Sequence, residues 1–181
     1  MLIKRLKTTN NPATQAAIVS AARAELRSWI LTQVSPNKLT MRASKINAVS
    51  TQHPAAASLA KEAALAIERA TSINEKAEAA AISVMEGGKA FFKKHGLRMS
   101  NRLNYMYQKR GSWTEVHAQL VRIGAGGKNF KRLCEAGQIE LTSEWFVVNY
   151  APYTVDTELL AEIRELLTDA TNDAHTLKVA A

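Results

Sequence analysis

Long apolar runs and cysteines are both scarce in this sequence of 181 residues, and each absence excludes a class of protein. No apolar run approaches the roughly 20 residues that a membrane-spanning helix requires, so we expect no integral membrane protein. The single cysteine, Cys134, excludes an internal disulfide and a zinc site built from cysteines. The N-terminus lacks the apolar segment of a signal peptide, so we expect a cytoplasmic protein.

Acidic residues are scarce in the first three quarters of the chain. The formal charge of the whole sequence is +8, but residues 1–50 alone carry +7 and residues 100–135 carry +5. Residues 51–99 add +2, whereas residues 136–181 carry −6. This asymmetry favours a body that binds a polyanion and an acidic C-terminal extension. The alternative is a solvated surface on which the charges merely cluster.

The apolar fraction of 46% excludes a wholly disordered chain, and its periodicity predicts a mainly α fold. We expect an amphipathic helix over residues 12–34, begun by Asn11 and Pro12. Residues 37–53 are mixed in character and are expected to form a loop or a weak strand. We divide the chain into three regions, which are a helical N-terminal region (1–88), a basic region (89–150) and an acidic C-terminal helix with its tail (151–181).

A small-residue pattern, which we call the alanine seam, runs between Pro54 and the pair Gly87-Gly88. Its members recur at alternating spacings of four and three, and they are Leu59, Ala63, Ala66, Ala70, Ile73, Ala77, Ala80 and Val84. The pattern predicts one helix of about 30 residues that ends at the double glycine. The seam is an apolar face that has to be buried, so it needs a partner, and alanine lets another helix approach closely. That partner is either the 12–34 helix or a second copy of the chain in a homodimer.

Shorter helices are predicted after the double glycine. They cover residues 89–96, a segment from Ser100 to Tyr107, and residues 112–123 and 128–136. Ser112 and Glu115 have the spacing of a capping box, which favours a helix start at that point. Residues 138–150 are expected to be extended and to form one small antiparallel β-hairpin. A last amphipathic helix is predicted over residues 156–169.

The most unusual stretch lies between Glu86 and Glu115, where 28 residues hold seven cations and no acid. Five aromatic residues are interleaved with these cations, namely Phe91, Phe92, Tyr105, Tyr107 and Trp113. Cations without neighbouring carboxylates suit phosphate binding, which gains free energy from counterion release. Aromatic faces can also stack on unpaired bases. For Phe91 and Phe92 we favour a place in the core.

The helix 112–123, the glycine turn, the helix 128–136 and the extended segment after it resemble a winged helix-turn-helix over some 40 residues of the chain. The stretch Phe130-Lys-Arg-Leu-Cys-Glu-Ala-Gly-Gln-Ile139 is similar to the recognition helix and wing entry of such domains. The resemblance implies that the 128–132 face approaches the major groove of DNA and that residues 140–146 form the wing. Two features depart from the pattern, because the turn over residues 124–127 is long and Glu135 lies on the proposed DNA face.

We therefore expect a non-catalytic nucleic-acid-binding protein, a DNA-binding regulator of transcription or an accessory factor, with duplex DNA as the favoured ligand. Lysine and arginine side chains would bind phosphates and position the protein, and base contacts would supply any specificity. The candidate nucleic-acid-binding residues are Lys89, Lys93, Lys94, Arg98, Arg102, Lys109, Arg110, Lys128, Asn129, Lys131 and Arg132.

Patterns that would indicate an enzyme, a metal site or a cofactor are missing from the sequence, and none of these is expected. The four histidines are scattered, without the spacing of metal ligands. Gly126-Gly127-Lys128 lacks the first glycine and the hydroxyl residue of a phosphate-binding loop, since Arg122 and Asn129 occupy those positions. Cys134 faces the apolar side of its helix, which favours a buried thiol over a nucleophile.

Two questions are open at this level. The protein can instead be an interaction module, an adaptor or inhibitor that docks a protein partner through the alanine seam and the basic face. The acidic C-terminal helix can complete the core with Leu159 and Ile163, mediate dimerisation, or fold over the basic face as an internal competitor.

Overall fold

The computed structural model describes residues 5–6, 8–31, 35–97 and 101–179, with side chains given up to residue 172 except that of Leu31. Over these residues the chain is mainly helical and contains no strand, so the predicted α class is confirmed. The α-helices are α1 (Pro12–Leu31), α2 (Pro36–Ser50), α3 (Ala57–Lys94), α4 (Arg102–Arg110), α5 (Trp113–Gly124), α6 (Lys128–Glu135), α7 (Ser143–Tyr150) and α8 (Thr157–Val179). Short 3-10 helices cover Pro54–Ala56, Ile139–Leu141 and Pro152–Thr154.

The chain divides into two compact units, of which the first covers Met1–Glu75. It contains α1, α2 and the first part of α3. The predicted start of α1 is confirmed, because Asn11 Oδ1 accepts hydrogen bonds from the amides of Ala13 (2.9 Å) and Thr14 (3.2 Å). Apolar side chains of the three helices form one core, which includes Val19, Ala22, Leu26, Leu39, Ile46 and Leu59.

The expectation of a loop or weak strand over residues 37–53 is wrong, because α2 occupies most of this segment. Ser35 caps the helix by accepting a hydrogen bond from the Lys38 amide, and Pro36 takes the first helical position. Leu39, Ala43 and Ile46 then bury one face at spacings of four and three. Ser35-Pro36, which follows the predicted helix 12–34, thus begins a new helix.

The first part of the alanine seam is buried within its own unit. Leu59, Ala63, Ala66 and Ala70 lie in the same core as residues of α1 and α2, as the intramolecular alternative predicted. Arg23 of α1 also contacts α3 through hydrogen bonds to Glu62 and Ser58. The seam is interrupted at Ile73, whose side chain is 37% exposed, close to the point where the first unit ends.

The second unit covers Lys76–Ala181 and contains the rest of α3 together with α4 to α8. Its core gathers apolar residues from all of these helices, including Ala81, Met106, Val116, Phe130, Phe146 and Ile163. Ile163 and Leu167 of α8 are buried in that core, so the interpretation that the acidic helix completes the core is confirmed. In this unit α8 packs against α6 and α7.

The double glycine Gly87-Gly88 does not end a helix, contrary to the prediction, and α3 continues through it to Lys94. Residues 89–96, predicted as a separate short helix, are the end of α3 and its terminal turn. At Gly87 the helix passes close to another segment, because an added Cβ would lie 2.6 Å from Leu141 Cδ2. Gly87 thus permits a close approach in the interior of a helix instead of terminating it.

The predicted β-hairpin over residues 138–150, and with it the wing over residues 140–146, is wrong. This segment contains the 3-10 helix Ile139–Leu141 and then α7. Thr142 begins α7 by accepting a hydrogen bond from the Trp145 amide at 3.1 Å, and Glu144 supplies a negative charge in the first turn. Valine and aromatic residues favour strands locally, but burial of Phe146 and Val147 on one side of α7 stabilises the helix instead.

The two adjacent glycines of α3 provide a test of this packing. We expect Gly88→Ala to raise the free energy of unfolding by about 0.5–1 kcal/mol, because alanine is the better helix former and an added Cβ at position 88 meets no atom within 4 Å. Gly87→Ala should gain less, since Leu141 must move to admit the methyl group. Urea unfolding followed by circular dichroism measures both changes, and equal gains for the two variants would contradict the close approach at Gly87.

Candidate functional site

All the predicted nucleic-acid-binding residues that the structure describes lie on three helices of the second unit. Lys89, Lys93 and Lys94 are on the last turns of α3, Arg102, Lys109 and Arg110 are on α4, and Lys128, Asn129, Lys131 and Arg132 are on α6. Each of these side chains is exposed except that of Arg132, which is half-buried. Arg98 lies outside the described residues.

The lysines of this set have no carboxylate partner among the described residues, whereas two arginines of the first unit do. In the first unit, Glu62 lies 2.6 Å from Arg23 and 3.8 Å from Arg27. Among the described residues, no lysine of the predicted set lies within ion-pair distance of a carboxylate, and Arg110 donates instead to the neutral Gln119 side chain at 2.7 Å. The positive charge of these lysines is therefore available to an external anion.

Two stacked aromatic rings, those of Trp113 and Tyr107, link Lys89 of α3 to α4. Lys89 Nζ lies 5.5 Å from the ring centroid of Trp113, and the Trp113 ring stacks on Tyr107 at 4.7 Å with an interplanar angle of 18°. Trp113 is buried, whereas Tyr107 is 38% exposed and Tyr105 is 64% exposed. The structure thus places two accessible aromatic rings among the cations of α4.

The remaining aromatic residues of the basic stretch, Phe91 and Phe92, lie on α3. Phe92 is buried, as predicted, while Phe91 is half-buried and its ring lies 4.4 Å from that of His95. Neither ring of the Phe91–Phe92 pair belongs to the accessible aromatic set. Of the five interleaved aromatic residues, Tyr105 and Tyr107 are therefore the ones with exposed faces.

α6 has the two faces that the sequence predicted. Phe130 and Leu133 are buried, and Lys128, Asn129 and Lys131 are exposed. A helix, a turn and a second helix are thus present over residues 113–135, but α7 follows them where the resemblance implied a wing. The resemblance to a winged helix-turn-helix fails in its β part.

Glu78 of α3 holds the beginning of α5 in place. Its carboxylate accepts hydrogen bonds from the amides of Trp113 (2.7 Å) and Thr114 (3.0 Å). It also accepts from the hydroxyls of Ser112 (2.7 Å) and Thr114 (2.9 Å). Ser112 accepts in turn from the Glu115 amide at 3.4 Å, so the predicted helix start is confirmed. A carboxylate from another helix thus reinforces the cap, and no local pattern around Ser112 reveals this contact.

The charge state of Glu78 follows from this arrangement. Partial burial favours the neutral acid, but the hydrogen bonds from Ser112, Thr114 and Trp113 together hold the pKa of Glu78 below its ordinary value. The charged carboxylate also lies at the N-terminus of α5, where negative charge is favoured. Glu78 therefore stabilises the fold as an anion.

Replacement of Glu78 by glutamine should lower the free energy of unfolding by about 2–3 kcal/mol at pH 7, because a neutral amide replaces a charged acceptor of several hydrogen bonds. The folded-state pKa lies below the unfolded value of 4.5, so this contribution is complete above pH 4.5 and is lost as the pH falls through the folded-state pKa. Urea unfolding of the wild type and the variant at a series of pH values measures this difference in the free energy of unfolding.

The matched control for Glu78→Gln is Glu86→Gln, which removes an exposed carboxylate from the same helix. It should change the free energy of unfolding by less than about 0.5 kcal/mol. Equal losses for the two variants would contradict the capping role of Glu78.

A cavity of about 380 Å³ lies within the second unit, between α3, α4, α5, α6 and the start of α7. Most of its wall is apolar and includes Met85, Phe92, Met106 and Leu120. Polar groups come from His117 of α5, from the segment Thr142–Glu144 and from the exposed residues Arg102, Lys128 and Asn129. His117 was not among the predicted site residues, although it lies four residues after Trp113 and four before the buried Val121, on one face of the helix.

His117 is buried and held by two hydrogen bonds. Its Nε2 lies 3.1 Å from the Ala81 carbonyl oxygen, and its Nδ1 lies 2.9 Å from Ser143 Oγ. Because a carbonyl can only accept, Nε2 carries the proton, and Nδ1 of the neutral ring accepts from the serine hydroxyl. Burial lowers the pKa of His117 to about 4, against smaller opposing effects of the Ala81 carbonyl and Glu78.

This buried histidine makes the stability of the second unit depend on pH. Since the folded-state pKa of about 4 lies below the ordinary value of 6.5, the unfolded chain binds more protons between these values. The free energy of unfolding should therefore fall, by up to about 3 kcal/mol, as the pH drops from 6.5 to 4. His117→Gln removes this contribution, so the stability difference between wild type and variant should shrink over the same range. A difference that is constant with pH would contradict the assignment.

Other reactive groups in the second unit do not assemble into a centre. Burial, together with the charges of Glu144 and Glu135, raises the pKa of Cys134 to about 11, so the half-buried thiol is protonated at neutral pH. In the described part of the chain, no group of three or more histidine, cysteine or acidic side chains is arranged to hold a metal ion. Glu144 is buried, which raises its pKa, and its Oε1 accepts from the Gly126 amide at 3.0 Å.

No protein-family model, curated protein or solved structure matches this chain. Among the helices that the structure describes, none combines the length and the apolar character needed to cross a bilayer. The functional conclusion therefore rests on the residues themselves.

Proposed function

We propose that the protein binds nucleic acid without catalysing a reaction on it, as a regulator of transcription or an accessory factor, and that duplex DNA is its favoured ligand. The observation that carries this proposal is the set of exposed lysines on α3, α4 and α6, which are unopposed by described carboxylates. Such a set gains free energy when phosphates displace condensed counterions. A cytoplasmic location accompanies the proposal.

Two features of the site support particular contacts. Lys128 and Lys131 extend from the exposed face of α6, a short helix that would lie along a groove while α3 and α4 contact phosphates. Tyr105 and Tyr107 add exposed rings beside Lys109 and Arg110, and these rings suit stacking on unpaired bases. The first feature favours a duplex and the second a single strand, so a comparison of ligands belongs in the first experiment.

The interaction-module alternative needs a second surface besides the basic face. That surface is the alanine seam, whose residues Leu59, Ala63, Ala66 and Ala70 lie in the core of the first unit. A protein partner that docked there would have to displace α1 and α2 residues. The exposed basic surface has no such requirement, and for this reason nucleic-acid binding is our first proposal.

A salt titration of binding to duplex DNA, single-stranded DNA and RNA tests the proposal. We expect the logarithm of the association constant to fall linearly with the logarithm of salt concentration, with a slope that reflects several phosphate contacts. Each of the double variants Lys93→Ala/Lys94→Ala and Lys131→Ala/Arg132→Ala should reduce that slope by about 2. Fluorescence anisotropy of labelled oligonucleotides measures these affinities.

The matched control is Lys45→Ala/Lys61→Ala, which removes the same charge from exposed helical positions of the first unit. If this control weakens binding as much as the site variants do, the net charge of the protein accounts for binding and the assigned site is wrong. If Lys131→Ala/Arg132→Ala leaves affinity unchanged while Lys93→Ala/Lys94→Ala abolishes it, α6 does not contact the ligand.

A further inference from the structure

The cavity of the second unit has the size of a ligand pocket. An engineered cavity of about 150 Å³ holds benzene, so 380 Å³ corresponds to a molecule of roughly 15 non-hydrogen atoms. Its interior wall comes from buried apolar residues of four helices, including Met85, Met106, Val116 and Phe130. A void of this size in a unit of about a hundred residues leaves many wall atoms without packing partners, which an apolar ligand would supply.

Two buried polar side chains of the wall, His117 and Thr142, are already satisfied by the protein. Both ring nitrogens of His117 are hydrogen-bonded, to Ser143 and to the Ala81 carbonyl. Thr142 Oγ1 donates to the Ile139 carbonyl at 2.7 Å and accepts from the Trp145 amide. Because these groups need no further partner, the interior favours a hydrocarbon or aryl group over a polar one.

The opening of the cavity has a different character. The exposed residues of its wall come from the end of α5 and the start of α6, namely Ile123, Gly124, Gly127, Lys128 and Asn129, and Arg102 also lines the cavity. No described carboxylate pairs with Lys128, and the buried acid Glu144 lies in the wall. A negatively charged group is thus favoured at the opening, beside Lys128, and disfavoured in the interior beside Glu144.

We propose that this cavity binds an anionic amphiphile, with its hydrocarbon portion among Met85, Met106 and Phe130 and its carboxylate beside Lys128. The cavity accounts for the presence of a glycine that the helix itself does not require. Gly88 is a buried glycine inside α3 that lines the cavity, and a Cβ there would meet no atom within 4 Å. The open space beside Gly88 is cavity space, so this position controls its volume. The proposal does not depend on nucleic-acid binding.

Isothermal titration calorimetry of the full chain with decanoate, decanol and decyltrimethylammonium tests the proposal. We expect one site that binds decanoate, with decanol weaker and the cationic amphiphile weaker still. Lys128→Gln should weaken decanoate binding up to about fivefold, the range expected of an exposed ion pair, and leave decanol binding unchanged. Equal affinity for all three amphiphiles, or equal loss of decanoate and decanol binding in Lys128→Gln, would overturn the anionic assignment.

The variant Gly88→Leu tests whether binding takes place in the cavity. Its side chain should occupy the cavity and weaken decanoate binding by about tenfold or more, without lowering the melting temperature, because leucine is the better helix former. The matched control Ala90→Leu adds the same side chain to an exposed position of α3 and should leave affinity unchanged. Retained decanoate binding in a folded Gly88→Leu protein, or no binding by the wild type, would overturn the proposal.

Discussion

The carboxylate of Glu78 is the contact on which the arrangement of the second unit depends. It occupies the donors at the start of α5 and so fixes that helix against α3. His117, one turn further along α5, repeats the connection through the Ala81 carbonyl of α3. α4 and α7 pack against α5, so the cations of α4 and the polar segment that begins α7 take their positions from this helix. A single half-buried acid thus organises both the basic surface and the cavity wall.

The sequence predicted helix starts and buried faces correctly where local signals and burial agree. Asn11-Pro12 and Ser112 begin helices as predicted, and the apolar side of α6 is buried as its periodicity indicated. It predicted helix boundaries wrongly where the same residues can serve two structural purposes. Ser35-Pro36 can end one helix or begin the next, and Gly87 can stop a helix or admit a neighbour. In such places the choice depends on contacts with residues distant in sequence, which periodicity does not reveal.

The candidate site likewise has one part that the sequence predicts and one part that depends on contacts between distant residues. A run of cations without acids is visible in the sequence, and the structure places the described members at exposed positions. The cavity could not be foreseen, because it is bounded by residues from Val84 to Glu144 that only the packing of several short helices brings together. Valine and aromatic residues in α7 predicted a strand, yet burial of Phe146 and Val147 against the core outweighs that preference.

Lys128 belongs both to the proposed nucleic-acid surface and to the opening of the cavity, so occupancy of one site would alter the charge available to the other.

The close approach of Gly87 and Leu141 constrains how the sequence can diverge. An added Cβ at position 87 would lie 2.6 Å from Leu141 Cδ2, so the two positions share one volume. Related chains should therefore substitute them together, with a larger residue at one accompanied by a smaller residue at the other.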